Sequence, residues 1–133
     1  MKIFELLSDI AKLTAEYIEL MSDPKESREA FGDGDFDELC FEPGNCAMIS
    51  NHFEDWLRSK GVNASAMTGI HAKNPSWAKN AHVTPLSDED AHTVVLIDGD
   101  TVVDLTARQF DKQAKFPKIT SYQQFKAEWV ETD

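Results

Sequence analysis

The stretch His92-Thr93-Val94-Val95-Leu96-Ile97-Asp98-Gly99-Asp100-Thr101-Val102-Val103-Asp104-Leu105-Thr106 decides the fold. Two runs rich in β-branched residues flank an Asp-Gly pair, the short-range signature of a β-hairpin. Both runs are apolar on both faces, which predicts a hairpin covered on both sides. His92 opens the first strand, and Asp104 lies inside the second. A carboxylate in so apolar a strand needs a partner. Loop length decides whether His92 is that partner. With the loop Asp98-Gly99, Ile97 pairs with Asp100, and the imidazole and carboxylate project from opposite faces. With the loop Ile97-Asp98-Gly99 and Gly99 left-handed, Leu96 pairs with Asp100 and His92 lies directly opposite Asp104. An Asp-Gly turn suits both.

Upstream of the hairpin the period changes to that of helices. Ile3, Phe4, Leu6, Leu7, Ile10, Leu13, Tyr17, Ile18 and Met21 predict an amphipathic helix over 2–21. Asp23-Pro24-Lys25-Glu26 opens a second helix, with Asp23 as N-cap and Pro24 at the first helical position. Gly32-Asp33-Gly34-Asp35 closes it and begins a loop. Glu42-Pro43-Gly44-Asn45 reads as a turn, with Asn45 capping a helix that starts at Cys46, carries Ile49, Phe53, Trp56 and Leu57 on one face, and ends at Lys60-Gly61. Val62, Ala64, Ala66 and Thr68 alternate as a strand to about Ile70. From His71 to Ala91 no period is sustained, as expected of a binding loop, with a helical turn near Ser76-Trp77. At the far end Ser121-x-x-Gln124 is a capping box for a terminal helix lined by Tyr122, Phe125 and Trp129. The expected class is α+β in one domain: N-terminal helices over 1–42, a core over 43–110, and a helical segment over 111–133.

The chain has 133 residues, 41% of them hydrophobic, enough to build a core without a disulfide or metal staple. Thirteen basic against 24 acidic residues leave a net charge of −11, which repels phosphate backbones and anionic lipid and argues against nucleic-acid and membrane partners. Glu5, Asp9, Lys12 and Glu16 interrupt the apolar N-terminus, so it is not read as a signal peptide, and the expected compartment is the cytoplasm. Both cysteines, Cys40 and Cys46, are then free thiols. Cys40 reads as a core or loop residue beside a Pro-Gly turn. The sulfur and imidazole ligands are Cys40, Cys46, His52, His71, His82 and His92, and none of their spacings fits a zinc pattern. Asp33, Asp35 and Asp37 are spaced like a calcium loop, but Glu38 stands where Gly is needed. No metal or cofactor is expected, and that segment reads as a solvated acidic loop.

Cys46, His92 and Asp104 carry the chemistry. Cys46 falls in the first turn of a helix, where free N–H groups and the macrodipole stabilise a thiolate, the nucleophilic form, and can hold a developing oxyanion. Taken alone, Cys46 is a small buried hydrophobe and His92 a strand-end residue; the set of three in this order is what suggests a triad. Gly44-Asn45-Cys46 opening a helix, His92 starting a strand, and the string Val103-Asp104-Leu105-Thr106-Ala107-Arg108-Gln109-Phe110 resemble the Cys–His–Asp core of the papain-like and transglutaminase-like cysteine enzymes. The resemblance is closest to small bacterial and phage members with a DLTxxQF-type string. It implies a nucleophile helix packed on a small antiparallel sheet, with Cys46 as nucleophile, His92 as base and Asp104 as the group that orients His92. Asn45, Trp77 and Gln109 are the accompanying oxyanion or substrate candidates. No Gln precedes Cys46, so a papain-type Gln donor is absent upstream. The implied function is thiol-dependent hydrolysis or acyl transfer at an amide or thioester-like carbonyl of a peptide or small amide. The alternative is a non-catalytic, phage- or bacterially encoded accessory protein that binds a protein partner on the same fold.

Overall fold

The computed structural model describes residues 3–32, 34–41, 45–70, 91–107, 114–128 and 130–131. The sheet order is β4-β3-β2-β1-β5, every neighbouring pair antiparallel. Its centre is the expected hairpin, β2 (Ala91–Ile97) and β3 (Thr101–Asp104). β1 (Ala64–Ile70) pairs with β2 from Ala64↔Ile97 to Ile70↔Ala91. The outer strands are β4 (Lys118–Ser121) on β3 and the two-residue β5 (Val130–Glu131) on β1. The architecture is α+β, with helices packed on a small antiparallel sheet.

Four helices precede the sheet: α1 (Ile3–Met21), α2 (Pro24–Phe31), α3 (Phe36–Phe41) and α4 (Cys46–Ser59). α2 begins where the cap residues place it. The Lys25 N–H donates to Asp23 Oδ1 at 3.1 Å, and Gly32 ends the helix at φ 78°, a conformation that L side chains rarely adopt. α4 ends on Gly61 at φ 82° in the same way. α4 lies on the sheet through Ile49, Phe53 and Leu57, all essentially without exposure, against Ala64, Val95, Ile97 and Val103. Tyr17 of α1 joins this core, its ring 4.6 Å from that of Phe53. Val94 and Val102, of opposite parity to Val95 and Val103, are also buried, so both faces of the hairpin are covered as its composition implied.

Four expectations need correction. The loop expected after Gly32 contains α3, because Asp35 caps it: the Glu38 N–H donates to Asp35 Oδ1 at 3.2 Å, and Phe36, Leu39 and Cys40 bury on one face. The C-terminal segment is not only helical. Strands β4 and β5 flank α5 (Tyr122–Glu128), whose first turn is capped by a bond of 3.1 Å from the Gln124 N–H to Ser121 Oγ. β3 stops at Asp104, two residues before the expected Thr106. The hairpin register also differs. Ile97 pairs with Thr101, Leu96 with Val102 and Val95 with Val103, so the loop is Asp98-Gly99-Asp100. Asp98 and Gly99 sit at φ 53° and 75°, as in a type I′ turn, and Asp100 is the extra residue. Two backbone bonds stabilise this choice: Asp98 N–H to Asn63 O at 2.9 Å, and Tyr122 N–H to Asp100 O at 2.9 Å.

No helix among the described residues is long and apolar enough to cross a membrane. The segment from His71 to Asp90, including the suggested turn at Ser76-Trp77, lies outside the described residues.

Candidate active site

The hairpin register determines how His92 and Asp104 meet. Its loop has an odd number of residues, so His92 and Asp104 share a face, as the triad requires. They are not directly opposite. Continuing the register places Asp104 across from Val94, so the imidazole reaches the carboxylate diagonally, a distance long side chains span. His92 Nε2 and Asp104 Oδ2 are 2.6 Å apart. The other carboxylate oxygen, Oδ1, accepts from the Thr106 N–H at 2.9 Å. Asp104 is thus held by its own chain two residues on, at the point where β3 ends, and its remaining oxygen is aimed at the imidazole. Such a carboxylate-to-backbone bond competes with ladder pairing at the strand end.

Cys46 completes the set. It is the first residue of α4 and its side chain hydrogen-bonds His92. Nε2 is engaged by Asp104, which leaves Nδ1 as the ring nitrogen for the sulfur. The order is thiol, imidazole, carboxylate. All three are buried, at 8%, 1% and 7% exposure. Burial pushes the His92 pKa down, but the charge and hydrogen bond of Asp104, together with the bond to Cys46, outweigh it and hold the group up at about 9. The imidazole therefore retains its proton between the sulfur and the carboxylate.

Cys40 lies under this site on α3 and is a different kind of thiol. It is 3% exposed, and burial, with Asp37 and Asp104 adding to it, pushes its pKa far above the ordinary thiol range. That environment suppresses the thiolate, so the two cysteines are chemically distinguishable.

Asn45 departs from its expected role. Its backbone sits at φ −97°, ψ −1°, and its side chain makes no capping bond. Instead Nδ2 donates to Leu39 O at 3.0 Å, tying the start of α4 to α3. The short α3, unseen in the sequence, provides that acceptor and draws the carboxamide away from the helix end. The first turn of an α-helix leaves N–H groups without an intrahelical acceptor, and Cys46 opens that turn in α4. Trp77 and Gln109 lie outside the described residues.

Other polar residues of the region have assigned partners. His52, six residues after Cys46, accepts from or donates to the Tyr17 hydroxyl at 2.7 Å and lies on the α1 side of α4, away from the triad. Ser50, which sequence reasoning missed, donates to Thr93 O at 2.8 Å, and Thr93 Oγ1 is 2.9 Å from Thr68 Oγ1. Its position four residues after Cys46 on the sheet-facing stripe was the available signal. Among the described residues no group of three or more His, Cys, Asp and Glu side chains is arranged to hold a metal ion.

Compared with known proteins, the chain matches no family model, no curated protein and no solved structure.

Proposed function

We propose that this chain is a thiol-dependent hydrolase or acyltransferase of the papain-like/transglutaminase-like type, acting on an amide or thioester-like carbonyl. The observation that carries the reading is the hydrogen-bonded series Cys46–His92–Asp104, with the sulfur at a helix N-terminus. The Cys46 proton resides on His92, and Asp104 stabilises the imidazolium. The sulfur attacks the carbonyl carbon, a C–S bond forms, and N–H groups of the first turn of α4 receive the oxyanion. As the tetrahedral centre collapses, the bond to the leaving amine or thiol breaks and His92 supplies its proton. Water or a second nucleophile, deprotonated by His92, then attacks the thioester and releases the acyl group from Cys46. The charge of −11 favours a neutral or basic peptide or small amide as substrate and disfavours nucleic acid and anionic membranes as partners. The cytoplasm is the proposed compartment.

The test is thiol chemistry on the intact protein. Iodoacetamide at about pH 6, well below the ordinary thiol pKa of ~8.5, should alkylate Cys46 much faster than Cys40, and His92→Ala should abolish the difference. A covalent activity probe should label wild type and not Cys46→Ala. The low exposure of Cys46 favours one second reading, a non-catalytic accessory protein that binds a partner on this framework. Its signature is slow and equal labelling of Cys40 and Cys46, which would remove the enzyme reading.

A further inference from the structure

We propose that Ser50 is a positioning residue that fixes the distance between the Cys46 sulfur and the His92 imidazole; the inference rests on the reading of this site as a thiol centre. Cys46 and His92 sit on separate elements, α4 and β2; packing of Ile49, Phe53 and Leu57 sets their side-to-side placement, and the bonds from the Ala66 N–H to Glu54 Oε2 at 2.6 Å and from Arg58 Nε to Ala64 O at 2.8 Å hold the far half of α4 to β1, not the half that bears Cys46. Apolar packing is non-directional and leaves a helix able to slide by fractions of an ångström. Besides the bond between Cys46 and His92 themselves, a directional bond from Ser50 crosses from α4 to β2 near the site. Ser50 lies one helical turn past Cys46, on the same side of α4. Its Oγ donates to the carbonyl of Thr93, the residue after His92, at 2.8 Å, and Ser50 is 2% exposed.

Three features mark this bond as more than routine satisfaction of a hydroxyl. Hydroxyls in or at the ends of helices usually bond back to a carbonyl three or four residues earlier. Thr14, Ser22 and Ser59 of this chain do so, to Ile10 O, Ile18 O and Trp56 O. Ser50 instead reaches 43 residues along the chain. Second, its acceptor lies two residues past the last β2–β3 pair, Val95↔Val103. Third, the acceptor residue is itself tied to β1 through Thr68 Oγ1 at 2.9 Å. The chain of contacts therefore runs from the helix turn bearing the sulfur to the strand bearing the imidazole, and on to the neighbouring strand. Sulfur and imidazole must remain within hydrogen-bonding reach for the proton to pass, and misplacement by about 1 Å costs on the order of a hundredfold in rate.

The experiment measures iodoacetamide alkylation of Cys46 against pH in wild type, Ser50→Ala, Ser50→Thr and Ser50→Val, with Cys40 protection as the internal readout of an intact fold. Ser50→Ala should lose on the order of ten- to a hundredfold in alkylation rate at about pH 6 and shift the acid limb of the profile toward that of an ordinary thiol. Cys40 should stay protected. Ser50→Thr, which restores the hydroxyl, should recover most of the rate, and Ser50→Val, of nearly the same shape without it, should not. A purely structural hydroxyl would lower the melting temperature and leave the pH profile of folded protein unchanged, and that result overturns the proposal. If Ser50→Ala loses Cys40 protection, the Thr and Val variants decide: matching profiles overturn it. If wild-type Cys46 itself shows no acceleration that depends on His92, the reading of the site as a thiol centre fails, independently of Ser50.

Discussion

Asp104→Asn is the most informative single substitution. It is nearly isosteric, so packing around the 7%-exposed side chain is preserved. The loss is electrostatic and geometric. In wild type, Oδ1 accepts from the Thr106 N–H and Oδ2 faces His92 Nε2. An asparagine has a single acceptor oxygen, so with that oxygen kept on the Thr106 N–H its NH2 faces Nε2, which accepts only in the neutral tautomer protonated at Nδ1. The carboxylate charge disappears as well. Burial alone pushes the His92 pKa down, and it is Asp104, aided by Cys46, that reverses this and holds it at about 9. Without the carboxylate, burial dominates and the imidazole loses its proton below its ordinary value of ~6.5. The span from about 9 to 6.5 corresponds to about 3 kcal/mol. Each ~1.4 kcal/mol is tenfold, and Cys46 supplies part of that span, so the ratio of thiolate–imidazolium to thiol–imidazole falls by on the order of ten- to a hundredfold. The assay is alkylation of Cys46 by iodoacetamide over about pH 5 to 9, with the modified peptide identified by mass spectrometry. The variant should lose the fast acid-side reaction and react only as pH approaches the ordinary thiol range. Fast labelling at about pH 6 in Asp104→Asn, with an unchanged acid limb, would show that the carboxylate does not hold the imidazole proton and would refute the electrostatic account of the triad.

Two predictions concern stability. His92 binds its proton up to about 9 in the folded chain against ~6.5 unfolded, so between these values the folded state holds more protons. Its stabilising contribution is complete below ~6.5, declines as pH rises and is lost above about 9. In the Cys46→Ala background, where no thiol can exchange its proton with the imidazole, the difference in urea midpoint between the chains with His92 and with His92→Gln should shrink across this window; a difference that is constant or grows with pH contradicts the assignment. The second prediction concerns the Ser27 hydroxyl, which is fully buried and has no hydrogen-bond partner among the described residues. Leaving a buried hydroxyl unmatched costs roughly 1–3 kcal/mol, so Ser27→Ala should leave the melting temperature unchanged or raise it by a few degrees, and a clear fall would reveal a bond the described contacts omit.

Local signals were legible in the sequence. The Asp23-Pro24 start, the Gly32 and Gly61 stops, the periodic stripe of α4 and the alternation of β1 each depend on residues a few positions apart, and the structure places them within two residues of expectation. α3 was not expected, because the acidic Gly-rich context reads as a loop even though Asp35 followed by Phe36, Leu39 and Cys40 is a cap and a helical stripe. The short strand β4 carried no such signal. Three of its residues are half-buried, Ser121 is exposed, and the segment becomes a strand by pairing with β3.

What the chain's own order of residues determined was which groups exist and on which kind of element: a thiol opening a helix, an imidazole opening a strand, a carboxylate on the partner strand. What only the tertiary structure decided was how they meet. The pair Asp98-Gly99 accommodates two loop lengths of opposite parity, and nothing in the hairpin itself chooses between them. Contacts from outside it favour the longer one, through the bonds of Asp98 to Asn63 and of Tyr122 to Asp100. The same holds for the Asn45 side chain, drawn to Leu39, and for Ser50, drawn to Thr93. Propensity and pattern act over a few residues, whereas these bonds depend on which elements the packed core brings alongside one another, and a one-residue change in register would have turned the carboxylate away from the imidazole.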